Sequence, residues 1–123
     1  MTQSIKNYKS KILYHGGSYP VPSYHQKGKM ILKNRNISIA AKGKKANHEI
    51  KIEIPARNII KVVTEEKKYY SSTAYMLNIH FVDRNEKEES VELEIRSFGR
   101  RGRAQAIARW WAETLTTIKE EEK

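Results

Sequence analysis

Apolar residues recur along this chain in two rhythms. Up to about residue 96 they come in short runs with a period of two, and from Ile107 onward they come every three to four residues. The clearest run of the first kind is Glu49-Ile50-Lys51-Ile52-Glu53-Ile54, where strict alternation turns three isoleucines to a core and Lys51 and Glu53 to water. Val91, Leu93 and Ile95 alternate in the same way with Glu92, Glu94 and Arg96. The longest run, residues 73–82, places Tyr75, Leu77, Ile79 and Phe81 opposite Asn78 and His80. Shorter apolar runs at 11–15, 29–33 and 37–41, and one at 59–63 that is rich in β-branched residues, bring the expected strands to seven.

The segments between these runs carry turn chemistry. Gly16-Gly17 closes the first strand and opens a loop whose Pro20 and Pro22 cannot sit in a central strand. Asn34-Arg35-Asn36 joins two strands tightly, and an asparagine there can take the left-handed backbone of a hairpin turn. Residues 42–47 form a basic turn, Pro55 stops the next strand at a corner, and 83–87 turn the last hairpin. Glu65-Glu66-Lys67-Lys68, with the Tyr and Ser residues after it, reads as one more turn. After the strands, Ile107, Trp111, Leu115 and Ile118 form one stripe along a helix that begins near Arg100, and such a stripe needs a sheet to cover. Trp110 lies about 100° round that helix from Trp111. It belongs either to the rim of the sheet or to a contact with a partner.

Seven strands in hairpin order and one terminal helix predict a mainly β fold, an antiparallel barrel or sandwich capped by the helix. At 123 residues the chain suits a single domain. Its limits are expected at 10–121, with residues 1–9 as an N-terminal extension. There is no cysteine, and no stretch approaches the roughly 20 apolar residues of a membrane span. The expected location is cytoplasmic, with a peripheral position at the inner membrane face left open by the charge. Asn36-Ile37-Ser38 matches a glycosylation sequon, which reads as accidental on a chain with no secretory signal.

The charge changes this picture more than the composition does. Residues 1–61 hold 13 Lys and Arg against Glu49 and Glu53, a net +11, whereas residues 62–123 hold 11 against 12, a net −1. An excess confined to one half points to an anionic partner for one face, against the plain alternative of a solvated lysine-rich surface.

The residues that carry a resemblance are Ile54-Pro55 followed by Ile59 and Val62 across a strand corner, the strand pair ending at Phe81 and Ile95, and a single C-terminal helix with Trp111 on its inner side. In this pattern, over residues 10–120, the chain resembles a pleckstrin-homology-like domain of the small prokaryotic, GRAM-related kind. The resemblance implies a seven-stranded barrel capped by the helix and a binding scaffold rather than an enzyme. It also implies basic residues on the first two strands and the loop between them. Lys27, Lys29, Lys33 and Arg35 lie in that region, although Lys33-Asn34-Arg35 falls at a turn instead of along the second strand.

Catalytic chemistry finds little footing. His15, His25, His48 and His80 lack metal-ligand spacing, the glutamates between 86 and 94 read as solvated, and Gly99-Arg100-Arg101-Gly102 lacks the phosphate-loop lysine. No cofactor is expected. Arg100, Arg101 and Arg103 at the helix start and Glu120 to Glu122 at its end oppose the helix dipole, which suits either an anion held at the start or pairing with Glu92 or Glu94. The sequence therefore predicts a non-catalytic module for an anionic membrane lipid or an acidic protein segment, with nucleic acid as the alternative and a homo-oligomer compatible with either. Its candidate binding residues are Lys27, Lys29, Lys33, Arg35, Lys44, Lys45, Arg100, Arg101 and Arg103, with Trp110 as a candidate partner contact. Tyr14, Tyr19 and Tyr24 cluster around a loop, which is not the stacking platform that single-stranded nucleic acid requires.

Overall fold

A computed structural model describes residues 8–18, 26–42, 49–68, 70, 73–96 and 101–121, with the side chains of 101 and 102 outside the description. The strands are β1 (Tyr8–Gly17), β2 (Gln26–Lys33), β3 (Asn36–Lys42), β4 (Ile50–Pro55), β5 (Ile59–Lys68), β6 (Thr73–Val82) and β7 (Glu88–Arg96). A 3-10 turn at Ala56–Asn58 joins β4 to β5, and helix α1 (Arg101–Glu121) ends the chain. All seven strands belong to one antiparallel sheet in the order β4-β3-β2-β1-β7-β6-β5. Two meanders, β1 to β4 and β5 to β7, are thus joined through the pairing of β1 with β7. The outermost strands, β4 and β5, are not paired with each other, so hydrogen bonding does not close the sheet.

One face of the sheet supplies the core. Ile12 and Tyr14 of β1, Met30 and Leu32 of β2, Ile37 and Ile39 of β3, Ile52 and Ile54 of β4, and Leu77, Ile79, Phe81, Val91, Leu93 and Ile95 of β6 and β7 are all buried. The helix covers this face with Ala108, Trp111, Leu115 and Ile118. Full burial of an aliphatic side chain stabilises by about 1.5–3 kcal/mol, so this stripe is the principal force docking the helix. Ile107, expected within the stripe, is only half-buried, and Ala108 occupies that place. A small residue suits the closest approach of helix to sheet.

Several strand ends differ from expectation: β1 begins at Tyr8, within the expected extension, and β3 takes in Asn36 and Lys42 from the flanking turns. Gly16 and Gly17 do not end β1 but extend it through a bulge against β7, at φ values of +134° and +114° that favour glycine. Glu65 to Lys68, expected as a turn, continue β5 in register with Met76 to Thr73. Most of that stretch is solvent-exposed at the edge of the sheet, so the charges that suggested a turn are those that protect an edge strand. The β2–β3 turn does use the left-handed backbone, at Asn34 (φ +52°) and Arg35 (φ +61°) together.

Candidate functional site

Alternation and register decide where the positive charge collects. On β1, Ser10, Ile12 and Tyr14 face the core, which turns Lys9 and Lys11 outward. On β2, Met30 and Leu32 do the same for Lys27, Lys29 and Lys33, and on β7 Ile95 does so for Arg96. The register then aligns these outward residues across strands. Lys29 stands opposite Lys11, and Lys11 stands opposite Arg96. One row along, Lys27 stands opposite Lys42 of β3 on one side and Leu13 of β1 on the other. With strands about 4.8 Å apart, the first row brings three cations within about 10 Å of backbone.

A shallow concavity of about 470 Å³ lies on this face, rimmed by Lys11, Lys27, Lys29 and Arg96, with Leu13, Gly28 and the backbone of the inward-facing Ile12 as its floor. Gly28 is required by its neighbours, because a Cβ there would collide with the carbonyl of Ala40 on β3. One carboxylate adjoins the concavity. Glu94 accepts from Arg96 through Oε2 at 3.0 Å, while its Oε1 lies 3.0 Å from Nε2 of the nearly buried His15. It therefore fixes the guanidinium at the rim. Like charges directly opposite in a sheet are destabilising, and three such pairs, Lys27 with Lys42, Lys29 with Lys11 and Lys11 with Arg96, occur on this one face.

The structure brings together only some of the residues singled out from sequence. Lys27 and Lys29 share the concavity. Lys33 is exposed at the far end of β2, about 13 Å along the strand from Lys29. Arg35 in the following turn donates to Glu121 Oε2 at 2.8 Å, which ties the β2–β3 hairpin to the last turn of α1. Arg103 is exposed on the first turns of the helix and does not line the concavity. Lys44, Lys45 and Arg100 lie outside the described residues, as does the side chain of Arg101. Trp110 is half-buried, with its ring centroid 4.0 Å from that of Tyr8 and 5.2 Å from that of Trp111, so it seals the sheet rim.

Sequence reasoning missed Lys11, Lys42 and Arg96. For Lys11 and Arg96 the signal was present, since each is the outward member of an alternating run, but it needed the strand register to become a row, whereas Lys42, expected in a turn, is the last residue of β3. Among the described residues no three His, Asp or Glu side chains converge as metal ligands would, and no helix is long and apolar enough to cross a membrane. No protein-family model matches the chain, and neither does any curated protein.

Proposed function

We propose that this chain is a non-catalytic binding module whose β1–β2–β7 outer face holds an anionic membrane surface. The observation that carries this reading is the cation row Lys29–Lys11–Arg96 with Lys27 beside it, a pattern of like charges set opposite one another at a cost to the sheet. Such a row concentrates positive potential where a phosphate-bearing headgroup would neutralise it. The half-buried Leu13 between the cations suits a headgroup lying against the strand surface better than it suits a solvated polyanion. Nucleic acid is the weaker reading, because among the described residues no aromatic side chain lines the concavity to stack a base.

The reading extends to a pleckstrin-homology-like barrel acting peripherally at the inner face of a membrane. Two meanders joined through β1 and β7, with a C-terminal helix laid on the core, support that architecture.

Co-sedimentation with vesicles of pure phosphatidylcholine and with vesicles enriched in phosphatidylserine tests the proposal. Binding is expected only to the anionic vesicles and should weaken steeply with added salt. The pair Lys27→Gln and Lys29→Gln together should lower the affinity, at about 1 kcal/mol per lysine near an anionic leaflet. Unchanged vesicle binding by the double variant would overturn the assignment of this face, and competition by an acidic peptide or single-stranded DNA alone would redirect it to that partner.

A further inference from the structure

Strand β4 ends the sheet on one side. It pairs with β3 and with no other strand among the described residues, so its second edge carries backbone N–H and C=O groups without strand partners. A concavity of about 680 Å³ lined by Lys51, Glu53 and the turn at Asp83 to Asn85 opens beside this strand. Unpaired edges are templates for strand addition unless the sequence discourages it.

In β4 the isoleucines are placed symmetrically about Ile52, and the residues flanking Ile52, Lys51 and Glu53, carry opposite charges. Outward-facing Glu49, Lys51 and Glu53 alternate in sign, and Ile50, Ile52 and Ile54 fill the positions between. We propose that two copies of this chain associate through β4, antiparallel, about a twofold axis passing between their Ile52 residues. In this register Lys51 of each copy stands opposite Glu53 of the other, and Ile50 stands opposite Ile54. The half-buried Ile50 gains an apolar neighbour. Both existing contacts leave capacity for these pairs. Among the described residues the Lys51 ammonium, on a side chain 76% exposed, reaches Glu49 at 3.3 Å, and Glu53 Oε1 receives the Ser38 hydroxyl at 3.5 Å.

Competing registers are disfavoured by the same residues. A slip that centres the pairing on Lys51 sets Lys51 against Lys51 and Glu49 against Glu53, and one centred on Glu53 sets two glutamates face to face. A slip by one residue turns the isoleucines of one copy toward the charges of the other. The opposite-charge register is the one that also stacks isoleucine on isoleucine, and a twofold contact of this kind is closed, stopping at two copies. The dyad stands perpendicular to the sheet, so both outer faces point the same way.

Sedimentation equilibrium over a wide concentration range tests the association without any ligand. The wild-type chain is expected to show a reversible monomer–dimer equilibrium. Lys51→Glu and Glu53→Lys, each of which replaces two attractions by two repulsions, should weaken it about tenfold or more. The charge-swapped double variant K51E/E53K should recover to within about threefold of wild type, which a loss through misfolding would not do. Hydrogen exchange on the wild-type protein supplies a measurement free of any variant, with the β4 amides gaining protection as concentration rises and the β5 amides not. A monomer at every concentration, a double variant no better than either single one, or β4 exchange independent of concentration would overturn the proposal.

Discussion

Trp111 donates its indole N–H to the hydroxyl of Ser10 at 2.8 Å, a buried bond across 101 residues of chain that fixes the helix to the central strand. Both ends are committed: the indole is fully buried and Ser10 is 7% exposed, so neither polar group can turn to water instead. Trp111→Ala should cost about 3–5 kcal/mol as a large core truncation. Ser10→Ala should cost about 1–3 kcal/mol by orphaning the indole N–H. Trp111→Phe should cost less than the alanine variant, because most of the ring volume remains. Urea unfolding ranks the three. A loss below about 1 kcal/mol for Trp111→Ala would mean that the helix docks elsewhere.

The two bulge glycines separate conformational strain from steric conflict. Gly16 at φ +134° has nothing within 4 Å of where a Cβ would sit, whereas a Cβ on Gly17 would meet the carbonyl of Ser90 on β7. Alanine at Gly16 should cost about 1–2 kcal/mol from the backbone alone. Alanine at Gly17 should cost more, since it must also push β7 away, where Ser18 N–H donates to the Ser90 carbonyl at 2.8 Å. Equal losses in thermal unfolding would argue that the bulge relaxes freely.

Strands and helix were legible because burial on one face leaves a period in the sequence, and Ile50, Ile52 and Ile54 could hardly be read otherwise. The same logic explains the failure at Glu65 to Lys68. An edge strand with little burial on either face has no period to display, so its charges mimic a turn. Met76 marks another limit: fully buried, yet standing opposite Glu94 on the outer side of the sheet, it lies outside the main core that the alternation of Leu77, Ile79 and Phe81 predicts. For the site, composition located the charge in the first half, but only register could show that Lys29, Lys11 and Arg96 share one row. Arg35 carried the same charge in the sequence and has a different task, because its reach to Glu121 depends on where the helix ends.

That task makes Arg35 a test of side chain against backbone. Its ion pair with Glu121 is partly exposed, with side chains 32% and 37% accessible, and such pairs contribute about 0.2–1 kcal/mol. Its φ of +61° strains any residue other than glycine by a comparable amount. Arg35→Ala should lose the pair and keep the strain, lowering stability by about 1 kcal/mol. Arg35→Gly should lose the pair and relieve the strain, ending within about 0.5 kcal/mol of the parent chain. Thermal unfolding of the two variants side by side decides it, and identical losses would assign the whole effect to the guanidinium.

The cation row predicts that stability and binding move in opposite directions. Lys29 is exposed and stands opposite Lys11, so Lys29→Gln removes a repulsion, and the free protein should become more stable by a few tenths of a kcal/mol or stay unchanged. Lys29→Glu turns that repulsion into an attraction and should stabilise further, by about 0.2–1 kcal/mol. Added salt should narrow the stability gap. Screening with a Debye length of about 10 Å at 0.1 M weakens repulsion within the row, so salt should raise the wild-type melting temperature more than that of either variant. Binding to phosphatidylserine vesicles should fall in the reverse order, wild type above Lys29→Gln above Lys29→Glu. A structural role for Lys29 would instead show both variants losing stability while vesicle binding stays at the wild-type level.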